Sequence, residues 1–302
     1  MNLIRARVLG FCMGVQRAVE LAVSQAAGGG RVYTLGPLIH NPNVLADLKG
    51  RGVEILREMP QNPEGSFIIR AHGVSPKIEK GLRDMGCNII DATCPKVKAS
   101  QLKAEELARA GYCLFLAGEA EPPGSVLQSG FPSVHAEIAG ILGYAENGFG
   151  EKESSFCAVV GSAADAEKEA ARLFEKNSYA KTALLGQTTF SQEEYFSIGK
   201  SIEQFFPDLE IVQTICDATA SRQQALRELL DKCEAVLIAG GKDSANTRRL
   251  LAIAQESGKP CALVEKPSDI PHDFFYFETV GICAGASTPD SAIDEIELEL
   301  FR

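Results

Sequence analysis

The chain has 302 residues, 45% of them hydrophobic and 23% charged, with a net charge of −10. That length predicts about two domains, and the composition excludes a disordered acidic tail or a low-complexity scaffold. No run approaches the ~18 apolar residues of a membrane helix, and an acidic chain has no long-range attraction for nucleic acid or anionic membrane.

In chain order, short β-rich apolar runs alternate with amphipathic stretches. The N-terminal MNLIRARVLGFCMG has no long apolar core and no A-x-A pattern, so it does not read as a signal peptide, and the expected location is the cytoplasm. Strands are predicted at 3–8, 31–35, 66–71, 87–91, 112–117, 156–160, 181–186, 209–213, 235–239, 261–265 and 279–283. Helices are predicted at 14–27, 41–49, 75–85, 96–110, 163–176, 191–205, 219–232, 244–257 and 289–301. The third helix shows the local logic: Ser75 caps, Pro76 suits the first turn, and Gly86 ends the helix in the left-handed region. Residues 118–155, rich in Gly, Pro and Ser, read as an irregular insertion. Strand–helix alternation of this kind predicts an α/β fold with mostly parallel sheets covered by helices. The expected lobes are 13–95, then 96–214 with the insertion, then 1–12 together with 215–302.

Nine cysteines in an odd-numbered set, without any C-x-x-C, disfavour disulfides and zinc ribbons. Cys87, Cys113, Cys157, Cys233, Cys261 and Cys283 sit in apolar runs and read as small buried hydrophobes. Cys12, Cys94 and Cys216 do not. Each follows a strand and opens a helix, in GFCMGV, DATCP and ICDAT. Ligands of open α/β sheets bind beyond such strand ends. Three thiolates from three lobes would suit an iron–sulfur cluster, and three rather than four would leave one iron open to substrate.

Other polar groups share these strand ends: His40 in IHN, His72 in AHGVS, Thr188 and Thr189 in GQTT, Ser244 and Asn246 in GKDSAN, and Ser287 in AGAS. Imidazoles, hydroxyls, amides and helix N-termini are what an acidic protein has for cradling a phosphate. Ser244 and Ser287 can equally be plain helix caps. His135 and His272 lack this context and read as surface or structural.

Taken in order, GFCMGV, IHN, AHGVS, DATCP, GQTT, ICDAT followed by RQ, and AGASTPD resemble the 4-hydroxy-3-methylbut-2-enyl diphosphate reductases, the LytB/IspH family, from residue 3 to about residue 295. The resemblance implies a trefoil of three α/β lobes around a central [4Fe–4S] cluster held by Cys12, Cys94 and Cys216. It implies reductive removal of the hydroxyl of an allylic diphosphate, giving isopentenyl and dimethylallyl diphosphate. His40, His72, Ser244, Asn246 and Ser287 would bind the diphosphate, and Thr188 would sit by the substrate hydroxyl and help relay protons. The chain carries no flavin or nicotinamide fingerprint, so electrons would come from a ferredoxin or flavodoxin.

Three departures stand out, one of them a stretch between 121 and Thr188 that is longer than is usual for the family. The family's Ser-Ser-Asn reads Ser244-Ala245-Asn246. Its G-H-P-E run, whose His contacts substrate and whose Glu delivers protons, aligns most simply with GEAEPPGS. That puts Glu121 at the His position and Pro123 at the Glu position. Proline has no proton to give, and a carboxylate ~4 Å from a phosphate would be repelled by ~4 kcal/mol per unit charge pair at an effective dielectric of about 20. Three outcomes stay open: a protonated Glu121 or Glu119 replaces the acid, the substrate differs, or reductase activity is weak. A quinolinate-synthase-like dehydrating enzyme and a cluster-bearing sensor or binding protein remain as alternatives.

Overall fold

In the computed structural model, residues 1–56, 58, 65–119, 135–150 and 156–301 are described. Among these residues three four-stranded sheets form, with strand orders β1-β12-β10-β11, β3-β2-β4-β5 and β7-β6-β8-β9. The strands are β1 (Asn2–Arg5), β2 (Val32–Leu35), β3 (Val53–Leu56), β4 (Ser66–Ile69), β5 (Asn88–Asp91), β6 (Cys113–Ala117), β7 (Cys157–Val160), β8 (Thr182–Gly186), β9 (Glu210–Ile211), β10 (Ala235–Ala239), β11 (Cys261–Val264) and β12 (Thr279–Ala284). Between them run α1 (Met13–Ala27), α2 (Pro42–Gly50), α3 (Pro76–Asp84), α4 (Pro95–Arg109), α5 (Ala136–Phe149), α6 (Ala163–Lys176), α7 (Gln192–Glu203), α8 (Asp217–Leu230), α9 (Ala245–Glu256) and α10 (Asp290–Leu300). The chain is α/β with parallel-sheet lobes, as its alternation predicts. It divides into two compact units: Met1–Gly30, Pro37–Ile55 and Cys216–Arg302 form one, and Arg31–Gly36 and Leu56–Ile215 form the other.

In the first unit β10 pairs in parallel with β11 and β12, and β12 with β1. The run Ala235–Ala239 is buried throughout, which fits a parallel strand covered on both faces. Its alternation assigns the faces. Val236 and Ile238 pack with Leu226, Leu229, Leu250 and Ile253 of α8 and α9, while Ala235, Leu237 and Ala239 pack with Ile293, Ile296 and Leu300 of α10.

The second unit repeats the plan. Phe115 and Leu184 face α6 and α7, and Leu114, Leu116, Ala183 and Leu185 face α4 and α5. The ring of Tyr195 lies against Gly186, and its hydroxyl, with one proton to give, lies within hydrogen-bond distance of the carbonyls of Leu184 (2.8 Å) and Val212 (2.6 Å). That contact fixes the C-terminal end of β8, immediately before the GQTT turn.

Ser75, Pro76 and Gly86 behave as their residue types predict: Ser75 accepts from the Ile78 N–H, Pro76 occupies the first turn, and Gly86 has φ +76°. Two elements depart from expectation. The short strand β3 has no predicted counterpart. Helix α5 occupies 136–149, inside the stretch read as an irregular insertion. It carries Gly140, Gly143 and Gly148, which read as loop residues, yet these glycines are its packing surface. A side chain at Gly140 would meet the Gln101 amide of α4, one at Gly143 would meet Ser75, and one at Gly148 would meet the Glu105 carbonyl. Ten of its fourteen residues are buried, so no polar face marks the helical period.

Candidate functional site

In the first unit the ends of β10 and β12 meet the loop before α2. Asn41 caps α2 by accepting from the Asn43 and Val44 N–H groups, both at 3.1 Å, which fixes the preceding His40. The Ser287 hydroxyl donates to the His40 carbonyl at 3.2 Å. That carbonyl also approaches Gly241 so closely that a Cβ there would lie 2.7 Å away, which explains the second glycine of GGKDSAN. Gly240 and Gly285 give Thr247 similar room, drawing the first turn of α9 onto the strand ends. Ser244 caps α9 by accepting from the Thr247 N–H at 3.3 Å.

Asn246 follows on the same turn. It is 3% exposed, and neither its Oδ1 nor its Nδ2 has a hydrogen-bond partner among the described residues. A buried polar group left so costs about 1–3 kcal/mol. Such a cost is expected where a ligand completes the bonding. His40, Ser244, Asn246 and Ser287 thus belong to one strand-end neighbourhood, and the helix N-terminus adds partial positive charge favourable to an anion.

Cys12 and Cys216, also in this unit, are the N-cap residues of α1 and α8, and neither side chain caps a backbone N–H. By contrast Ser75, Ser162, Ser191 and Ser244 all cap with their side chains. No disulfide forms among the nine cysteines. Burial pushes the thiols of Cys157 and Cys283 up to about 12 and raises those of Cys87, Cys113, Cys233 and Cys261. Of the six read as small buried hydrophobes, Cys113, Cys233 and Cys283 are buried, whereas Cys87, Cys157 and Cys261 are only partly so.

In the second unit Cys94 is the N-cap residue of α4, and its N–H donates to the Ala71 carbonyl at 3.0 Å, beside His72. Gly73, at φ +72°, lies so close to the Gln101 amide that no side chain fits, which accounts for the Gly of AHGVS. The His72 ring meets His135 edge-on, with centroids 5.3 Å apart.

Beyond β8, Gln187 donates its N–H to the Ala117 carbonyl at 2.8 Å and its side-chain amide to the Thr189 hydroxyl at 2.7 Å, while its Oε1 accepts from the Glu119 N–H at 3.1 Å. Thr188 between them donates twice to Glu137: its N–H to Oε1 at 2.7 Å and its hydroxyl to Oε2 at 3.0 Å. Glu137 is 1% exposed, and burial pushes its carboxyl up to about 7 against the pull of those two bonds. Near neutral pH it can hold or give a proton.

Glu137 is the residue that sequence reasoning missed, while His135 has the structural place that was one of its two expected readings. His135, read as surface or structural, is buried, and its Nδ1 accepts from the Glu137 N–H at 3.3 Å as the cap of α5. The available signal was the His-x-Glu in VHAE, whose His135 and Glu137 each lie fourteen residues beyond the positions Glu121 and Pro123 aligned with the family's His and Glu. Glu121 and Pro123 lie outside the described residues.

Known proteins are similar to this chain along nearly its whole length. The family described as LytB protein matches residues 3–301. The 4-hydroxy-3-methylbut-2-enyl diphosphate reductase of Treponema pallidum (strain Nichols) is 40% identical, over 98% of this chain and 82% of the relative. The protein of the same name from Treponema denticola is 38% identical over 99% of this chain and 98% of its own length. A solved structure of (E)-4-hydroxy-3-methyl-but-2-enyl diphosphate reductase, the terminal enzyme of the non-mevalonate pathway, matches with a TM-score of 0.70 and 34% identity, covering 100% of this chain and 99% of that one. With the strand-end cysteines, the orphaned amide and the Thr188–Glu137 pair in place, the chain belongs to the LytB family.

Proposed function

We propose that the chain reduces 4-hydroxy-3-methylbut-2-enyl diphosphate, removing its hydroxyl as water and yielding isopentenyl and dimethylallyl diphosphate. The observation that carries this reading is the buried Glu137 carboxyl bonded to Thr188 through both oxygens. Cleaving a C–O bond needs an acid for the leaving hydroxide, and a carboxyl raised to about 7 supplies one at neutral pH.

Cys12, Cys94 and Cys216 would hold a [4Fe–4S] cluster with one iron open. The donor set fits. Cys12 and Cys216 stand at helix N-termini, where negative charge is favoured, and spend no side-chain bond on capping. When bound, the cluster supplies electrons and a Lewis-acidic iron for the hydroxyl. Two electrons are needed for each substrate, and a ferredoxin or flavodoxin is the proposed source. Nine cysteines without a disulfide suit the reducing cytoplasm as the location.

The remaining work falls to side chains. His40, Ser244, Asn246 and Ser287 bind the diphosphate from the first unit, with Asn246 giving its unsatisfied Nδ2 to a phosphate oxygen. His72 contributes from the second unit. Thr188 places its hydroxyl by that of the substrate. Glu137 protonates Thr188 Oγ1 as Thr188 passes its own proton on, so one water leaves. A second proton from solvent completes the allyl fragment. His135-Ala136-Glu137 takes the part of the family's His-x-Glu, so the acid that GEAEPPGS lacks need not come from Glu121.

The test is anaerobic turnover of this diphosphate with a low-potential dye as donor. Native protein should be brown, carry about four irons per chain, and oxidise two equivalents of dye per product. Iron-free protein after reconstitution, or diphosphate binding without electron consumption, would contradict the proposal.

A further inference from the structure

We propose that Arg222 is a built-in counter-charge of the cluster site. It ties the segment leading into Cys12 to the first turn of α8, the helix that Cys216 caps, and raises the reduction potential of the group these cysteines would carry. It is a positioning residue, and the inference rests on the cluster reading above.

Arg222 lies on α8, six residues after Cys216, and is 3% exposed. One terminal nitrogen donates to the Gly10 carbonyl at 2.8 Å, two residues before Cys12. The other donates to the Ala218 carbonyl at 3.0 Å, two residues after Cys216. One guanidinium therefore joins the segment leading into Cys12 to the first turn of α8, and its charge is held beside both cysteine-bearing ends.

The charge is the stronger argument. The chain has 40 acidic residues, yet among the described residues none forms an ion pair with Arg222, and its Nε has no hydrogen-bond partner. A buried cation without an anion is costly. The groups able to carry negative charge that attract it are the sulfurs of Cys12, Cys283 and Cys216. Burial keeps Cys283 a neutral thiol. Cys12 and Cys216 are left, and metal ligation makes their sulfurs anionic. Ligated sulfurs would supply the anions that this buried cation otherwise lacks.

The consequence is electrochemical. Each electron added to a thiolate-bound cluster adds negative charge, and a nearby buried cation stabilises the reduced form more than the oxidised one. The potential is thereby raised towards that of the low-potential donor proposed above.

The test is an anaerobic redox titration of the reconstituted full chain, followed by electron paramagnetic resonance, on native protein, Arg222→Lys and Arg222→Gln. At a fixed potential the Gln variant should show a tenfold lower ratio of reduced to oxidised cluster, a midpoint about 59 mV more negative. The Lys variant should stay near native. A Gln midpoint equal to native at equal iron content overturns the proposal, as does a Lys variant that shifts as far as Gln. If Gln retains no iron, the comparison passes to iron retention: Lys must keep the cluster, and loss in both variants overturns the proposal. Absence of a cluster signal from native protein would instead defeat the reading of the site itself.

Discussion

The turn after β8 and the strand ends around α9 are both polar and both buried, but they are finished to different degrees. Around Thr188 the hydrogen bonds are made: Gln187 bridges Ala117, Glu119 and Thr189, and Glu137 takes both donors of Thr188. Around Asn246 two polar atoms have no bonding partner among the described residues. In the proposed reaction the first region has its acid positioned before any ligand arrives, because proton transfer needs short, fixed contacts. The second leaves polar atoms open, which the proposed function assigns to phosphate oxygens. A buried polar network can thus mark chemistry when closed and binding when open.

The sharpest way to break the comparison is at the proposed metal ligands. Cys94→Ser should lose most of the iron and essentially all turnover, measured as iron per chain and dye oxidation, while the far-ultraviolet circular dichroism stays native. Retention of a full cluster would remove Cys94 from the site.

The open region is tested by Asn246→Ala. Binding of inorganic pyrophosphate should weaken at least tenfold, a loss of ~1.4 kcal/mol, by titration calorimetry. Stability without ligand should not fall, because the amide removed satisfies nothing. A stability loss with unchanged binding would make Asn246 a structural residue.

The closed region is tested through its titration. The Glu137 carboxyl is raised from its ordinary 4.5 to about 7 by burial. The folded chain therefore holds this proton more tightly than the unfolded chain. The associated stability is present in full below about pH 4.5 and is lost as the pH rises through about 7, amounting to about 3 kcal/mol. In urea melts from pH 4.5 to 8, Glu137→Gln should lack this part of the decline. Parallel pH dependences would show that the carboxyl does not titrate in this range.

The smallest effect concerns the support beneath this region. Gly148→Ala gains up to ~1 kcal/mol of helix propensity, but its Cβ would lie 2.9 Å from the Ala108 Cβ and also meet the Glu105 carbonyl. Overpacking of ~1–3 kcal/mol should win, lowering the melting temperature by several degrees with the rate of turnover unchanged. A stabilised variant would mean that α4 and α5 are less tightly apposed.

Much of the fold was legible because parallel strands covered on both faces leave continuous apolar runs, as in AVLIA and CLFLA, and capped helices leave terminal signals, as at Ser75 and Gly86. Helix α5 was hidden because burial on most sides erases the amphipathic period and close packing demands glycines. The acid was hidden with it: Glu137 sits on that helix, and its carboxyl is defined by Thr188, fifty-one residues away. The role of Asn246 was legible as a residue type in GKDSAN, but its lack of partners was visible only in the packed structure. Strand-end cysteines were readable because each interrupts a strand-to-helix step at a residue type that seldom caps.

The central claim is that Glu137, through Thr188, gives the proton on which loss of the hydroxyl depends. It is tested most directly by the rate of anaerobic product formation from pH 6 to 9, with reductant saturating, for native protein and Glu137→Gln at equal iron content. The account predicts a native rate that falls above about pH 7 and a variant rate lower by ~10²-fold or more that is flat across the range. A variant that keeps both the native rate and the native pH dependence would contradict it.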